Sequence, residues 1–307
     1  MRGVTVGVLL PVHGFAPFLA EAIDAVLAQD PAPDVVVVVD DGSPVPVALH
    51  PDHLAAGVRR VRRATAGGPA AARDTGLRAL DPAVTFVALC DADDTWEPGA
   101  LAAHLRAHAA SPGAGWSFGR SRVVGVDGRP TGERWDEPAP GRHDAAALGR
   151  ALHAANPVPT SSVVLRREAL AAVGGFAAPV RVAEDWELWL RLCAAGHDAL
   201  CVPDAVVRYR RHPGGLTADV AALARAQLEV RERHVALAAG PDTVARARAA
   251  DLAALADGLA RAGDPRAARA AWARVARERP LTARERARRL ALALPGVRAR
   301  VGRGPAY

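Results

Sequence analysis

The sequence predicts an α/β fold in which helices flank a mostly parallel central sheet. Three almost uninterrupted apolar runs carry this prediction, namely VTVGVLL at 4–10, VVVVV at 35–39 and VTFVALC at 84–90. Strands that are covered on both faces have such continuous apolar patterns. Segments with helical spacing of apolar residues separate the runs, and strand–helix alternation indicates parallel strands joined by right-handed crossovers.

The other elements follow from apolar spacing and from the positions of Gly and Pro. The predicted helices of the first two thirds of the chain are 18–27, 69–80, 98–110 and 184–195. The further predicted strands are 58–61, 161–167 and 199–202. The stretch 111–143 is rich in Gly, Pro, Arg and Trp, and it predicts short antiparallel strands and a loop.

Charge and periodicity divide the chain near residue 217. Residues 1–216 carry a net charge of −3, whereas residues 217–307 carry +9. The helices predicted for the second part are 218–238, 242–262, 265–279 and 282–294. We therefore predict two domains, 1–216 and 217–307, and within the second a hairpin (252–280) that resembles a tetratricopeptide repeat. One repeat does not bury its own apolar face, so we expect it to pack on the first domain or on another chain.

Composition also narrows the classes of function. Cys90, Cys193 and Cys201 form no CxxC pair, which argues against a disulfide framework or a zinc site and fits a reducing cytosol. No apolar run reaches the roughly 20 residues of a membrane span, and the run at 4–10 is too short for a signal peptide. The arginine-rich tail lacks interleaved aromatics, so we expect no nucleic-acid partner.

Acidic residues follow two of the predicted strands. Asp40 and Asp41 come after the second apolar run, and Asp91, Asp93 and Asp94 come after the third. Ligands gather at the carboxyl ends of parallel strands. Two carboxylates without a basic neighbour in sequence favour Mg²⁺ or Mn²⁺, which binds carboxylates together with substrate phosphates. The structural alternatives are an Asx turn at Asp40–Asp41 and a cap on the next helix from Asp93 or Asp94.

Two further segments carry candidate site residues. In GGPAAARDTG (67–76) the glycine pair permits a ligand to approach the backbone, and Arg73 lies in the first turns of the following helix. The alternative there is an ordinary loop with a solvated arginine. In AEDWELWLRL (183–192), Glu184 and Asp185 begin a helix, where a carboxylate is either a helix-start acid favoured by the dipole or a catalytic base.

Taken together, these motifs resemble those of family 2 glycosyltransferases, which have the GT-A fold. The resemblance covers roughly residues 4–215 and rests on the order of seven segments: LLPVHGFAPFLAEAIDAVLAQ, VVVDDGS, GGPAAARDTG, LCDADDTWEPGAL, PTSSVVLRREALAAVGGF, AEDWELWLRL and YRRHPGGLT. The chain departs from the family pattern at Asp74, where the family more often has Asn. It departs again at 215–217, where the family often has Ser.

The resemblance implies a role for each matching residue. Asp185 matches the general base. Asp91 and Asp93 match a DXD motif in which one acid reaches the ribose or sugar and the other reaches the metal. His212 matches a late histidine near the diphosphate and the metal. The nucleotide- and donor-binding residues that the resemblance implies are Pro11, Asp40, Asp41, Arg73, Asp91 and Glu184, and the metal ligands are Asp93 and His212.

Within the nucleotide pocket, the resemblance places Pro11 at the end of the first strand. Asp41 matches the acid that holds the nucleobase, and Arg73 matches an arginine near that base or the diphosphate. Acceptor contacts are expected in 111–160 and near 160–162. Three tryptophans either stack on a sugar there or pack in the core, and the second use is favoured: Trp116, Trp135 and Trp186.

The expected function is metal-dependent transfer of a sugar, with inversion, from a UDP, dTDP or GDP sugar to the hydroxyl of a glycan, lipid-linked or small-molecule acceptor. The expected cofactor is Mg²⁺ or Mn²⁺. The alternative is a non-catalytic nucleotide-sugar-binding or scaffold protein with a partner-binding tail, against which the joint presence of Asp91, Asp93 and Asp185 argues. We expect a cytoplasmic protein and consider a homo-oligomer. The basic stretch 284–304 either lies on the inner face of an anionic membrane or is a solvated helix, the latter being favoured.

Overall fold

The computed structural model describes residues 3–133, 135, 138–176, 182–212, 214–215 and 219–292. The chain folds into two compact units. The first contains residues 1–152 and 156–212, and the second contains residues 153–155 and 213–307. The chain thus passes into the second unit after His212, which is four positions before the predicted boundary.

One mixed sheet, nine-stranded within the described residues, forms the centre of the first unit. Its strands are β1 (Val6–Val12), β2 (Val35–Asp40), β3 (Arg59–Arg62), β4 (Phe86–Leu89), β5 (Thr95–Trp96), β6 (Trp116–Val124), β7 (Gly141–His143), β8 (Val163–Arg166) and β9 (Ala199–Arg210). The order is β3-β2-β1-β4-β8-β6-β9-β5, with β7 paired to β9. β1 to β4 are parallel, whereas β8 is antiparallel to β4 and β6.

Helices cover this sheet, and the predicted ones are all present with ends within a few residues. They are α1 (Leu19–Leu27), α2 (Pro51–Ala55), α3 (Pro69–Ala79), α4 (Ala100–Ala110), α5 (Ala145–Ala154), α6 (Arg167–Ala172) and α7 (Glu184–Ala194). The last two residues of α5 belong to the second unit. A short 3₁₀ turn, Thr160–Ser162, leads into β8.

The prediction of short antiparallel strands in 111–143 is wrong for β6. This strand has nine residues and pairs in parallel with β9 as well as antiparallel with β8. The ladder shifts register between Gly119 and Arg120, where a Cβ on Gly119 would meet the carbonyl oxygen of Ala205 at 1.9 Å. Glycine therefore permits the close approach of β9, and sequence periodicity does not show such a bulge.

The carboxyl ends of the parallel strands bring the candidate loops to one edge of the sheet. Val8 and Leu10 of β1 are fully buried, as is Val38 of β2, which explains the uninterrupted apolar runs. In the ladders Val12 lies opposite Asp40, and β1 pairs on its other side with β4 up to Leu89. The loops that follow β2 and β4 therefore leave the same edge of the sheet on either side of β1.

Four α-helices make up most of the described residues of the second unit. Its helices are α8 (Val220–Arg233), α9 (Pro241–Arg261), α10 (Pro265–Glu278) and α11 (Ala283–Ala291). Leu252, Ala256, Trp272 and Val275 are buried between them. The α9–α10 hairpin occupies the segment with the tetratricopeptide-like pattern, and its assignment to that repeat class stays a prediction. No helix in the described part of the chain has both the length and the apolar content needed to cross a bilayer.

Candidate active site

The loop after β4 presents two partly exposed carboxylates, and each has a basic partner from elsewhere in the chain. Arg73 Nη2 lies 2.6 Å from Asp91 Oδ1, and His212 Nε2 lies 2.9 Å from Asp93 Oδ2. The carboxylate side chains are 30% and 35% exposed, so both can meet a ligand. The two acids have no basic neighbour in sequence, but folding brings a basic side chain to each of them.

The third carboxylate of this loop is structural. Asp94 is buried, and it accepts hydrogen bonds from the Ser161 hydroxyl at 2.5 Å and the Arg210 backbone N–H at 2.8 Å. It ties the loop to β9 and to the 3₁₀ turn. The alternative in which Asp93 or Asp94 caps the next helix is wrong, because Gly99 is the N-cap of α4 and no side chain caps that helix.

Arg210 holds the loop from the far end of β9, and the sequence argument missed it. Its Nε donates to the carbonyl oxygen of Asp93 at 3.0 Å, and its Nη2 lies 2.7 Å from Glu21 Oε2. The guanidinium also stacks on the Phe18 ring at 4.3 Å, and Phe18 contacts the His212 ring edge-on at 5.7 Å. The motif YRRH contains this residue, but the sequence does not tell which arginine of the pair faces the loop.

A buried arginine joins the loop after β4 to the start of α7. Arg73 is 3% exposed, and its Nη1 lies 2.7 Å from Glu184 Oε1 while its Nη2 contacts Asp91. Burial alone would lower the pKa of Arg73, but the two carboxylates outweigh it and raise the pKa. Carboxylates contact both Nη groups of Arg73, and its implied position beside the base or the diphosphate stays a prediction.

Glu184 is a partner of that arginine and not an open donor ligand. Its side chain is 10% exposed. Burial raises the pKa of Glu184 to about 7, with Arg73 opposing the shift and the charge of Asp185 adding to it. The contact of Glu184 with Arg73 joins α3 and α7, and the implied role of Glu184 in direct donor binding stays a prediction.

Asp185, the implied general base, stands at the beginning of α7 and is partly buried. Its Oδ2 accepts a hydrogen bond from the Thr160 hydroxyl and its Oδ1 from the Trp186 N–H, both at 2.7 Å. Burial raises the pKa of Asp185, although these two hydrogen bonds oppose the shift. Ala183, the N-cap, has a φ of 61° in the left-handed region, where a non-glycine residue is strained.

Asp40 serves the protein itself. It is completely buried, and its carboxylate accepts hydrogen bonds from the Ser43 N–H at 2.9 Å, the Val47 N–H at 3.1 Å and Arg62 at 2.5 Å. Burial alone would raise the pKa of Asp40, but the hydrogen bonds outweigh it and lower the pKa to about 2. Asp40 accepts from N–H groups three and seven residues on, so it holds its loop through longer contacts than an Asx turn, and its implied donor-binding role stays a prediction.

Asp41 holds the glycine-rich loop that precedes α3. It is 4% exposed, and it accepts hydrogen bonds from the Gly67 N–H at 3.0 Å and the Gly68 N–H at 2.7 Å, with Arg63 Nε at 2.6 Å. A nucleobase held by Asp41 would have to share these oxygens. Pro11 lies one position before the end of β1 and is partly exposed at the same edge of the sheet.

The donor set suits a metal that arrives with a phosphate ligand. Asp93 and His212 present an oxygen and a nitrogen side by side. No group of three or more His, Cys, Asp or Glu residues arranged to hold a metal occurs among the described residues. Mg²⁺ and Mn²⁺ at diphosphate sites need only one or two protein ligands, because water and phosphate oxygens complete the shell. The residues therefore fit a diphosphate-bound metal better than a permanently resident one.

The tryptophans divide between core and surface. Trp116 is buried and stacks on Trp189 with ring centroids 5.2 Å apart, and Trp186 is 2% exposed. Trp135 is partly exposed and lies against Tyr209 at 4.9 Å. The expectation of core packing is confirmed for Trp116 and Trp186, whereas Trp135 keeps some exposed surface.

Comparison with known proteins decides the family. The sequence profile described as "Glycosyl transferase family 2" matches residues 7–172, which is more than half of the chain. The chain belongs to glycosyltransferase family 2. This assignment makes it a transferase by family, and the matched range contains both loops with paired acids.

Curated relatives of this family 2 chain are similar over part of their length. It is 39% identical over 95 residues to the succinoglycan biosynthesis protein ExoW of Rhizobium meliloti, covering 30% of each chain. It is 33% identical over 183 residues to the pre-mycofactocin glycosyltransferase of Mycobacterium tuberculosis, covering 57% of this chain and 37% of that one. The chain thus matches about a third of the length of each relative.

Solved structures support the fold. TarS residues 1–349 from S. aureus superpose with a TM-score of 0.61 at 16% identity, covering 90% of this chain and 81% of that one. The mannosyltransferase PcManGT of Pyrobaculum calidifontis, solved with GDP-Man and Mn²⁺, gives 0.58 at 22% identity, covering 94% and 84%. At these identities the family 2 chain shares the GT-A-like fold with them, which confirms the predicted fold class.

Proposed function

We propose that the chain transfers a sugar from a nucleotide-diphosphate sugar to an acceptor hydroxyl, with inversion and with Mg²⁺ or Mn²⁺ as cofactor. Family membership supports the class of reaction. Relatives in fold bind such donors, since TarS has been solved with UDP-GlcNAc and PcManGT with GDP-Man and Mn²⁺. Which nucleotide and which sugar this chain takes stays open among UDP, dTDP and GDP sugars.

One observation carries the proposal, namely the double contact of Arg73. Its guanidinium binds Asp91 in the loop after β4 and Glu184 at the start of α7, at 2.6 and 2.7 Å. Asp91, which would face the donor, and Glu184, the sequence neighbour of the acid that would act on the acceptor, are therefore held to one buried cation. A scaffold protein without chemistry would not need these two elements fixed to each other.

Asp185 would serve as the base. In a direct displacement, the acceptor hydroxyl loses its proton to a carboxylate as the oxygen attacks the anomeric carbon. The raised pKa of Asp185 increases its affinity for that proton, and the hydrogen bond from the Thr160 hydroxyl orients the carboxylate. Attack from the side opposite the diphosphate inverts the configuration of the anomeric carbon.

Asp93 and His212 would hold the metal at the leaving diphosphate. A bound divalent ion supplies Lewis-acid stabilisation of the negative charge that grows on the diphosphate oxygens. The Asp93 backbone is fixed by Arg210 through its carbonyl oxygen, so the carboxylate stays directed at its ligand. Asp91, which keeps 30% of its side chain exposed, would contact the ribose or the sugar.

Arg73 and Glu184 would act as positioning residues. Glu184 lies beside Asp185 in sequence, so the Arg73–Glu184 contact fixes where the base stands relative to Asp91. A lysine at position 73 can reach one carboxylate but lacks the planar fork that contacts two. We expect R73K to keep the fold, to leave KM for the donor within a few fold and to lower kcat by about tenfold or more.

A donor screen tests the proposal. The full chain is heated with UDP, dTDP and GDP sugars, with and without Mn²⁺, and a bound donor at 100 times its Kd should stabilise the native state by about 2.7 kcal/mol. D185N should keep this shift, whereas transfer should fall by about 10²-fold or more. D242N is the matched control, because Asp242 is also an aspartate in the first turn of a helix, α9. Transfer by D185N at the wild-type rate would refute the base, and no shift with any donor would favour the scaffold alternative.

The nature of the acceptor and the state of assembly stay predictions. Thr160 contacts Asp185, which supports acceptor binding near 160–162, as expected. Neither a glycan, a lipid-linked nor a small-molecule acceptor is favoured by a contact within the described residues. A homo-oligomer and a cytoplasmic location likewise remain expectations from the sequence.

A further inference from the structure

The side of helix α11 that faces its own unit carries charged residues, with Leu292 packed at its C-terminal end, and the opposite side carries exposed apolar residues. None of its nine residues is buried. Two ion pairs hold its inner side, Arg288 with Asp257 of α9 at 2.7 Å and Glu285 with Arg279 at 2.7 Å. Ordinary surface helices have the reverse arrangement, with apolar residues facing the core.

The outer side of α11 carries an apolar stripe. Ala283, Ala287 and Leu290 are spaced at i, i+4 and i+7, which places them on one face of the helix. All three are exposed, and Leu290 is 69% exposed. Arg284 and Arg286 flank the stripe, one on each side at helical spacing, and both are exposed.

Helix α10 adds a face made of arginine. Its buried side consists of Ala268, Ala271, Trp272 and Val275. Four exposed arginines lie on the opposite side, within an arc of roughly 140° at 100° per residue; they are Arg266, Arg269, Arg274 and Arg277. No ion pair joins any of the four to a residue in the described part of the chain. Residues 261–292 contain 10 Arg and 3 Asp or Glu, a net charge of +7.

We propose that α10 and α11 form a surface that binds an anionic phospholipid bilayer. An exposed apolar stripe flanked by arginines can enter the boundary between head groups and acyl chains, and the arginines can pair with lipid phosphates. Charge complementarity favours an anionic leaflet over a neutral one. The helix would lie on the surface without crossing it, because its nine residues are far fewer than a span needs.

A nucleic acid fits the same charge less well. Single strands are bound by exposed aromatics that stack on bases. The one aromatic residue of α10 and α11, Trp272, is 1% exposed. An exposed leucine, by contrast, is of no use to a phosphate backbone, whereas a bilayer can bury it.

Co-sedimentation of the full chain with vesicles tests the surface. Vesicles of phosphatidylcholine alone are compared with vesicles that also contain phosphatidylserine, at low and high salt. We expect binding to the anionic vesicles that weakens with salt, and about tenfold or more weaker binding to the neutral ones. L290Q should weaken binding severalfold, because it removes the largest apolar group of the stripe.

A charge-matched pair of variants decides the role of the arginines. R266Q, R269Q, R274Q and R277Q combined should reduce binding to anionic vesicles by about tenfold or more. The control removes four exposed arginines of the first unit, by R59Q, R106Q, R129Q and R150Q. Equal loss in both variants, equal binding to neutral vesicles, or tighter binding to random-sequence DNA than to anionic vesicles would overturn the proposal.

These outcomes are independent of the donor site. The substituted arginines are exposed and contact none of the candidate site residues, so the donor-induced thermal shift should be the same in every variant. Melting temperatures close to that of the parent chain show that each variant is folded. A loss of vesicle binding with an unchanged donor shift therefore concerns the helical surface alone.

Discussion

The loops after β2 and β4 each place aspartates at the end of a buried parallel strand, yet the two loops use them differently. Asp40 and Asp41 are 0% and 4% exposed, whereas the side chains of Asp91 and Asp93 are 30% and 35% exposed. Asp40 accepts a hydrogen bond from the Ser43 N–H of its own loop, and Asp41 accepts one from the Gly67 N–H of the loop before α3. Asp91 and Asp93 keep carboxylate surface that a ligand can reach. The role of an acid that follows a strand therefore depends on the partners that folding brings to it.

The difference arises from the neighbours in the sheet. β3 lies beside β2 and supplies Arg62 to Asp40, and the residue after β3, Arg63, pairs with Asp41. The loop after β4 has no basic strand beside it, because β1 and the antiparallel β8 are its neighbours. Its cations come from α3 and from the residues at the end of β9, and they contact one side of each carboxylate. The other side stays accessible to a ligand.

The largest effect on activity is expected in the partly exposed pair, Asp91 and Asp93. D93N should lower transfer by about 10²-fold or more at saturating donor, because the amide is a far weaker metal ligand than the carboxylate. Rates measured against Mn²⁺ concentration check this. D127N, in an exposed turn, is the control and should keep the parent rates. Full activity of D93N at the parent's Mn²⁺ concentration would remove Asp93 from the metal site.

Substitution in the buried pair, Asp40 and Asp41, should lower the stability of the folded chain. D40N should lower the free energy of unfolding by about 2 kcal/mol, mainly because the hydrogen bonds from the Ser43 and Val47 N–H groups weaken. Arg62 is 37% exposed, so its ion pair adds little in solvent. Urea unfolding at constant m-value measures the change, and D93N should unfold at no lower urea than the parent. A D40N protein as stable as the parent would contradict the structural role.

The same carboxylate predicts a pH dependence. The pKa of Asp40 is about 2 in the folded chain and 3.8 in its reference state, so the folded state holds this proton less tightly. The contribution to stability is therefore full above pH 4 and is lost as the pH falls towards 2. In D40N the acid-induced loss of stability over this range should be smaller than in the parent, as urea titrations at several pH values would reveal.

Substitution of Asp41 can distinguish two roles of this carboxylate, holding the glycine-rich loop and holding the nucleobase. If it holds Gly67 and Gly68, D41N should cost about 1 kcal/mol of stability and raise KM equally for all accepted donors. If it also contacts the nucleobase, the variant should change the ratio of kcat/KM between a uridine and a guanosine donor. Competition assays with UDP and GDP measure that ratio, and an unchanged ratio would rule out base recognition by this carboxylate.

Sequence patterns predicted the parallel strands of the sheet and the edge at which the candidate acids lie. Apolar runs, and the aspartates that follow them, are local signals in the sequence. They did not predict which acids are bound internally. Arg210 lies 117 positions from Asp93, and Ser161 lies 67 positions from Asp94. Those contacts depend on the bulge and register of β9 against β6, which arise from tertiary packing. The paired role of Arg73 was missed for the same reason, since one helical arginine predicts no particular partner.

Glu184 and Asp185 form a third pair of adjacent acids. In this pair one acid is buried and the other is only partly buried. Glu184 is buried and binds Arg73, whereas Asp185 is only partly buried and accepts a hydrogen bond from Thr160. The base must be ionised to accept a proton, so its raised pKa predicts that kcat/KM falls as the pH is lowered. E184Q removes a like charge beside Asp185 and leaves more of the Arg73 charge uncompensated.

Both changes in E184Q favour the ionised base, but with a pKa of about 7 Glu184 is already largely uncharged over the acid limb, so the limb of kcat/KM should move to lower pH by less than about half a unit, the smallest effect in this set. The profile is measured at saturating Mn²⁺, and E168Q, an exposed first-turn acid of α6, serves as the control. A limb that moves to higher pH would mean that Arg73 loses its hold on the site when Glu184 is absent. A limb that does not move would mean either that Glu184 is uncharged throughout the limb or that a group other than Asp185 controls it.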